Sequence, residues 1–282
     1  MDKTNSDLLP KSEYVVMRDG VRLAVSLWLT EEDCLQSSKH PAVLITTRYW
    51  RAMALRQDNE NPALQWPFLL ASALLKHGFR LVVADVRGSG ASFGFREGEI
   101  AHAEVEDIGE LIGWIAQQPW CDGRVATTGC SYTADTTLYS LVTAPAALKL
   151  GICRATDFDM YRHIFAPGGI VGDWFIKGWG MATAAQDAND VTALFAGGYW
   201  PIPESGADSV LGVRPVDEDA DDSLLKAAVA EHRTNFNFAA SNNTFTFIEN
   251  HLSEKHRPVY DPVYRTAIEK NDTPLIIHCG WH

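Results

Sequence analysis

The sequence predicts an α/β protein with a doubly wound, mostly parallel sheet and a mostly helical insertion. Five short apolar runs lack the alternation of a half-exposed strand, as is typical of parallel strands covered on both faces: 42–47, 80–86, 124–129, 148–153 and 274–279. Helical patterns separate the first four of these runs. Alternating strands and helices in this order indicate a doubly wound sheet.

The helical patterns are read from their ends and from their apolar faces. Residues 67–77 begin with proline, which suits a first helical position, and are followed by Gly78, which suits a helix end. Residues 104–117 repeat apolar side chains at the spacing of one helical face: Ile108, Leu111, Ile112 and Ile115. A third helix is expected to begin near Tyr132.

Two further segments complete the predicted organisation. Residues 13–29 read as two strands joined by the turn "RDG", an antiparallel hairpin at the edge of the sheet. Between 157 and 271 the alternation stops, and scattered aromatic residues predict a mostly helical cap insertion. We therefore expect the first part of the core in 1–156, the insertion in 157–271 and a return strand in 272–282.

The amino-acid composition disfavours some classes of binding partner. The formal charge of −12 disfavours nucleic acid and anionic membrane surfaces, because the field of the protein would repel both. The N-terminal segment lacks the pattern of a secretion signal, and no stretch reaches the ~18 apolar residues of a membrane span. A cytoplasmic location is the expectation. Five cysteines without a CxxC pair indicate reduced, mostly buried thiols, and no zinc-type spacing appears, so we predict no metal and no cofactor.

The stretch "TGCSYTAD", residues 128–135, follows a predicted strand and opens a predicted helix. A serine at such a sharp turn exposes its hydroxyl above the sheet edge, and small neighbours such as Gly129 let strand and helix approach. Ser131 is therefore a candidate nucleophile, facing the first N–H groups of the helix. A serine that only caps the helix is the alternative. Cys130 is a rival nucleophile, which we expect instead to pack into the core.

The loop "VRGSGASFG", residues 86–94, approaches a dinucleotide-binding motif. Its glycines follow the spacing GxGxxxG, and Phe93 stands where the third glycine of that motif belongs. Nucleotide binding is therefore the weaker interpretation. Asp85 and Arg87 are expected to form a structural ion pair and to take no catalytic role.

Several segments together resemble the cocaine esterase / X-Pro dipeptidyl-peptidase (CocE/NonD) family of α/β-hydrolases. They occur in the order of that family and span 18–28, 46–51, 78–94, 114–132 and 274–281. The family's motif G-x-S-Y-x-G falls on Gly129, Ser131 and Tyr132, with Ala134 in place of the last glycine. The resemblance implies an α/β-hydrolase fold with a helical cap and hydrolysis of a small-molecule ester or amide.

The resemblance also implies roles for individual residues. Ser131 would be the nucleophile, and the backbone N–H of Tyr132 and the hydroxyl of Tyr49 would form the oxyanion hole. Two such donors stabilise the carbonyl oxygen as it becomes an oxyanion, and losing one typically costs ~10² to 10³ in rate. The cap would wall the acyl pocket with aromatic residues such as Trp174 and Phe175.

The acid and the base of a serine triad are missing from the expected places. The family carries its acid in a G-W-x-D motif after the last strand, and here the sequence reads Gly280, Trp281 and His282 and then ends. None of the nine histidines matches the family's base. Among them, His251, His256 and His278 are interpreted as histidines with a structural role. Asp157 and Asp159 could supply an acid but would leave no base.

These gaps leave two hypotheses open. The first is that the chain is the N-terminal part of a longer serine hydrolase, with the rest of the same protein as its partner and the family's C-terminal β-sandwich also absent. The second is a catalytically inactive, truncated α/β-hydrolase-like protein or a binding module.

Overall fold

The computed structural model describes residues 10–30, 33, 38–56, 67–143, 145–201, 206–238, 240 and 262–280. Its strands are β1 (Lys11–Val16), β2 (Arg22–Trp28), β3 (His40–Thr47), β4 (Met53–Leu55), β5 (Arg80–Asp85), β6 (Cys121–Cys130), β7 (Leu148–Arg154), β8 (Val210–Val213) and β9 (Leu275–His278). Its α-helices are α1 (Phe68–Lys76), α2 (His102–Ala116), α3 (Tyr132–Thr143), α4 (Asp173–Asp187), α5 (Val191–Ala196), α6 (Ser223–Glu231) and α7 (Pro262–Glu269). None of these helices is long and apolar enough to span a membrane.

Seven strands form one sheet in the order β1-β2-β5-β3-β6-β7-β9. The strands from β5 to β9 in this order run parallel, whereas β1 pairs antiparallel with β2, and β2 with β5. The predicted hairpin therefore lies at the edge of the sheet, and the last apolar run returns beside β7. The predicted α/β class is confirmed.

The middle of the sheet is buried on both faces, which explains its non-alternating apolar runs. On β3, Val43 and Ile45 pack with Phe68 of α1, whereas Leu44 packs on the opposite face with Ile112 of α2. Each of these side chains is almost fully removed from water. A strand with helices on both sides needs apolar residues at every position.

The described part of 157–271 is mostly helical and also contributes a strand. Strand β8 pairs antiparallel with β4, which follows β3, and so joins this region to the core. Arg48, which follows β3, belongs to a network of four buried charged side chains. Arg48 contacts Glu99 and Asp187, and Arg96 contacts the same two carboxylates. Asp187 lies on α4, so this network holds the insertion against the core.

The expected ion pair between Asp85 and Arg87 is wrong. The Asp85 carboxylate accepts a hydrogen bond from the backbone N–H of Arg51 at 2.6 Å and lies 3.6 Å from the guanidinium of that residue. Arg87 pairs instead with Asp107 at 2.6 Å. The reason lies in the turn at Gly90 (φ +55°), where a Cβ atom would meet the Asp85 carboxylate at 2.3 Å. This glycine makes room for a carboxylate of the protein's own chain.

Candidate active site

The turn between β6 and α3 holds Ser131 in a strained conformation. Its φ of +58° lies in the left-handed region, which a residue with a side chain rarely adopts. The turn is fixed on both sides, because the N–H of Ser131 donates to the carbonyl of Arg154 at 3.0 Å and its carbonyl accepts from Ala134 at 2.7 Å. A Cβ atom on Gly129 would lie 2.1 Å from the Thr133 carbonyl group, so only glycine fits this position.

Cys130 lies beside Ser131 at the surface. Both residues are exposed, so the expectation that Cys130 packs into the core is wrong. From Val125 onward the residues of β6 alternate between buried and less buried, and Cys130 lies on the less buried face. Cys121 and Cys153 are buried and Cys279 is exposed, so two of the four described thiols are buried; Cys34 lies outside the described residues.

Tyr49 follows the adjacent strand β3, so it reaches the same carboxyl edge of the sheet as Ser131. Its ring meets that of Tyr132 edge to face, with ring centroids 5.7 Å apart. The Tyr49 hydroxyl oxygen accepts a hydrogen bond from the indole Nε1 of Trp179 at 3.0 Å. Burial raises the pKa of Tyr49 far above its usual value, so the phenol keeps its proton.

Tyr132 begins α3, and its backbone N–H donates no hydrogen bond to the part of the chain that the structure describes. The first N–H groups of a helix lack partners within the helix. An unpaired backbone N–H is what an oxyanion-hole donor requires. The side chain is buried, and its hydroxyl donates to Oε1 of Glu104 on α2.

Glu104 is a fully buried carboxyl group, and its Oε2 has no partner among the described atoms. Burial raises its pKa to about 7, and the neighbouring charge of Glu99 adds to the rise, whereas the Tyr132 hydroxyl and Arg96 oppose it. The sequence shows no sign of this pair, because Glu104 looks like an ordinary first-turn acid of an amphipathic helix.

A cavity of about 220 Å³ opens beside the serine and brings four of the five predicted site residues together. Its lining comprises Tyr49, Ser131, Tyr132, Asp135, Met160, Ile164, Phe175, Trp179, Tyr199 and Trp200. Phe175 is thus in the wall, as the resemblance implies. Trp174 is 74% exposed and lies outside this lining, although its ring contacts that of Phe175.

Asp135 is the charged residue of the described lining, and sequence reasoning missed it. It is 1% exposed, and its Oδ1 accepts hydrogen bonds from Thr156 Oγ1 at 2.9 Å and from the N–H of Asp157 at 2.7 Å. Burial raises its pKa to about 7. Its position in the first turn of the helix after Ser131 was the available signal, and the N–H of Asp135 donates to the Ser131 carbonyl at 3.0 Å.

Trp179 is one of the scattered aromatic residues of the insertion, and the sequence pattern does not mark it as a site residue. Its side chain is buried on α4, and its ring stacks on that of Phe175 with centroids 5.8 Å apart. The guanidinium of Arg48, from the buried charge network, lies 5.1 Å from the indole ring. These contacts fix the orientation of the indole that reaches Tyr49.

No triad partner contacts Ser131 within the described residues, where its hydroxyl makes no side-chain hydrogen bond. His278 ends β9 and is exposed. The two candidate acids have other partners: Asp157 lies 3.7 Å from His163, and Asp159 pairs with Arg162 at 2.7 Å. The remaining candidates His251, His256 and His282 lie outside the described residues. Nor do the described side chains include a group of three that could hold a metal ion.

Known proteins resemble this chain over most of its length. A model of the X-Pro dipeptidyl-peptidase (S15) family matches residues 19–282. A Mycobacterium bovis protein named as a serine esterase is 37% identical over 251 residues, which cover 83% of this chain and 37% of that protein. Cocaine esterase from a Rhodococcus species is 31% identical over 183 residues, covering 62% of this chain and 29% of that protein.

A solved structure agrees with the fold. A CocE/NonD family hydrolase from Staphylococcus aureus matches with a TM-score of 0.52 and 26% identity, over 62% of this chain and 33% of that one. The chain thus spans less than two fifths of the length of these relatives. Since the family model covers nearly the whole chain, the protein belongs to the X-Pro dipeptidyl-peptidase (S15) family of α/β-hydrolases.

Proposed function

We propose that the protein hydrolyses carboxylic esters or amides through an acyl-enzyme on Ser131. The observation that carries this proposal is that Ser131, on its strained turn, lines one cavity together with Tyr49 and Tyr132. A nucleophile on a strained strand-to-helix turn, flanked by two hydrogen-bond donors, suits acyl transfer.

The reaction follows from these positions. The Ser131 oxygen attacks the carbonyl carbon while its proton passes to a base, and the carbonyl oxygen becomes an oxyanion held by Tyr49 and Tyr132. The bond to the leaving group then breaks, and the leaving group takes up the proton. Water repeats the sequence on the acyl-enzyme and releases the acid.

The base and the acid belong to the same proposal. The family resemblance implies that they follow the last strand, so we place them beyond His282 in a longer protein. Activity is therefore assayed on the 282-residue chain and on the protein encoded by the gene with any codons that follow. Activity restricted to the longer form would support this placement, and full activity of the shorter form would contradict it.

The decisive variant is Ser131→Ala. It should lower kcat for p-nitrophenyl esters on the order of 10⁶-fold in a protein with an intact triad. A fluorophosphonate probe should label the wild-type protein at Ser131, as peptide mass spectrometry would show, and should leave the variant unlabelled. Retained hydrolysis in the variant would refute the assignment.

A binding module without catalysis is the second candidate, and the lack of a described partner for the Ser131 hydroxyl favours it. It predicts a folded protein that binds small molecules in the cavity but neither hydrolyses esters nor reacts with the probe in either form. The labelling experiment therefore distinguishes the two functions.

A further inference from the structure

We propose that a second cavity, beside another face of α4, binds an aromatic carboxylate, and that this ligand affects the catalytic cavity through Phe238 and Trp179; the inference goes beyond the proposed function. The second cavity has a volume of about 310 Å³, against about 220 Å³ for the cavity beside Ser131. Pockets for small molecules measure roughly 300 to 1,000 Å³. The second cavity therefore has room for one small organic molecule.

Two walls of the second cavity are held in place by the fold. One wall is a face of α4, whose lining residues follow helical spacing: Gly180, Thr183, Ala184 and Asp187. The other wall is the segment 235–238, which follows α6. This segment is anchored to the core, because the backbone N–H of Arg96 donates to Oδ1 of Asn235 at 2.8 Å, and the N–H of Phe236 donates to the carbonyl of Arg96 at 2.9 Å. The cavity is thus formed by the fold itself.

The lining of the second cavity suits an anionic group attached to an aromatic ring. Arg233 is exposed in the lining, and its guanidinium makes no hydrogen bond or ion pair with the described residues. Asp187 is already paired with the two arginines of the buried network. The rings of Phe236 and Phe238 meet edge to face, with centroids 4.8 Å apart. A guanidinium binds a carboxylate with two parallel hydrogen bonds, and a phenyl ring packs well against other rings.

The two cavities differ in the charge that they present to a ligand. The described lining of the catalytic cavity contains Asp135 and no lysine, arginine or histidine. A carboxylate placed there would meet another carboxyl group, whereas in the second cavity it would meet Arg233. An aromatic carboxylate is therefore expected to enter the second cavity.

Two ring contacts connect the second cavity with the catalytic one. Phe238 lines the second cavity, and its ring meets the indole of Trp179 edge to face, with centroids 5.1 Å apart. The same indole lines the catalytic cavity and donates its hydrogen bond to Tyr49. A side chain that faces a cavity lacks contacts on that side, and a ligand supplies them. A ligand packed on Phe238 would therefore restrain the indole that directs the Tyr49 hydroxyl.

A pair of matched ligands tests the charge of the site. 3-Phenylpropionate and 3-phenylpropionamide have nearly the same shape, and only the first is an anion. In isothermal titration calorimetry the wild-type chain should bind the carboxylate at least about fivefold more tightly than the amide, and Arg233→Gln should remove this preference. Lys226→Gln is the matched control, because it removes a positive charge of α6 that does not line the cavity, and it should retain the preference.

Ala188→Phe tests the place of binding. Ala188 is exposed at the end of α4 and lines the second cavity, so the new ring can occupy this cavity without disturbing the core. The variant should lose binding of 3-phenylpropionate, and circular dichroism checks that it is folded. Equal affinities of the wild type for both ligands, no binding of either, an unchanged preference in Arg233→Gln or unchanged binding in Ala188→Phe would each overturn the inference.

The effect on the catalytic cavity is measured without hydrolysis, in ¹H–¹⁵N correlation spectra of the indole N–H groups. The Nε1–H resonance of Trp179, assigned by its loss in Trp179→Phe, should move when 3-phenylpropionate binds. The resonance of Trp28, which packs against Phe68 of α1, should stay in place. Phe238→Leu should still bind the ligand but show a smaller shift at Trp179. Binding that leaves the Trp179 resonance unmoved would refute the coupling, and a shift that persists in Ala188→Phe would place the ligand in the catalytic cavity and refute the second site.

Discussion

The indole Nε1 of Trp179 donates a hydrogen bond to the hydroxyl oxygen of Tyr49 at 3.0 Å. An indole can only donate, so the Tyr49 oxygen must accept, and its own proton is left to point elsewhere. Tyr49 also lines the cavity beside Ser131. A residue of the insertion thus sets the direction in which a residue of the core donates.

Trp179→Phe should therefore impair catalysis without emptying the wall of the cavity. The phenyl ring keeps most of the packing but cannot hold the Tyr49 hydroxyl. We expect kcat to fall about tenfold with a smaller change in KM, less than the ~10² to 10³ expected for Tyr49→Phe, which removes the donor itself. Steady-state kinetics with a p-nitrophenyl ester measure both constants.

Trp200→Phe is the control for this prediction. Its ring also contacts Tyr49, with centroids 5.0 Å apart, but the hydroxyl of Tyr49 accepts its hydrogen bond from Trp179. Loss of kcat should be small in this variant. Equal losses in the two variants would mean that ring packing, and not the hydrogen bond, positions Tyr49.

Gly129→Ala should destabilise the protein strongly. The new methyl group would lie 2.1 Å from backbone atoms of Thr133, so the start of α3 must move away from β6. We expect a loss of at least about 3 kcal/mol in the free energy of unfolding, at the upper end of overpacking costs. Urea denaturation measures it. Gly113→Ala on α2 is the control, since nothing lies within 4 Å of its new Cβ, and it should gain up to about 1 kcal/mol.

Much of the fold could be predicted from local patterns. The apolar runs of β3 and β5 have no alternation because helices cover both faces, and this property is written in consecutive residues. The pairing of β4 with β8 could not be predicted, because β4 has only three residues, Met53–Leu55, and its partner lies in the insertion. The partners of Asp85 could not be predicted either, because a tight turn directs its carboxylate toward Arg51.

The candidate site could be predicted where its residues are neighbours in sequence or follow adjacent strands. Ser131 and Tyr132 are neighbours at one turn, and Tyr49 ends the adjacent strand. Contacts between distant segments left no pattern in the sequence: Trp179 reaches Tyr49 across 130 positions, and Tyr132 reaches Glu104 across 28. The prediction for Cys130 was wrong for a different reason, because this residue lies on the less buried face of β6 at the end of the strand.

Variants of Cys130 test whether Cys130 or Ser131 is the nucleophile. Cys130→Ala should keep wild-type hydrolysis, because the exposed thiol takes no part in the proposed reaction. A bulky thiol reagent should modify Cys130 and Cys279 before the buried Cys121 and Cys153, and should inhibit the wild type by blocking the approach to Ser131. The Cys130→Ala variant should resist this inhibition. Loss of activity in Cys130→Ala itself would favour the thiol as nucleophile.

The buried pair of Glu104 and Tyr132 connects pH to stability. Burial raises the pKa of Glu104 from its ordinary 4.5 to about 7, so between these values the folded protein holds a proton that the unfolded chain releases. Stability then falls as pH rises through this window. A shift of this size corresponds to about 3 kcal/mol. The charges that face the carboxyl group are Glu99, Arg96 and Asp107.

Glu104→Gln should therefore stabilise the protein at pH 8 and have little effect at pH 5. Glutamine is uncharged and can still accept the hydrogen bond from Tyr132, whereas the wild-type carboxylate is buried without a partner for Oε2 at high pH. We expect a gain of about 1 to 3 kcal/mol in the free energy of unfolding at pH 8, measured by urea denaturation at both values. Glu106→Gln, on the exposed side of the same helix, should shift stability by less than about 1 kcal/mol at either pH. A Glu104→Gln variant less stable than the wild type at pH 8 would mean that the ionised carboxylate is held by the fold, and that its charge supports the position of Tyr132.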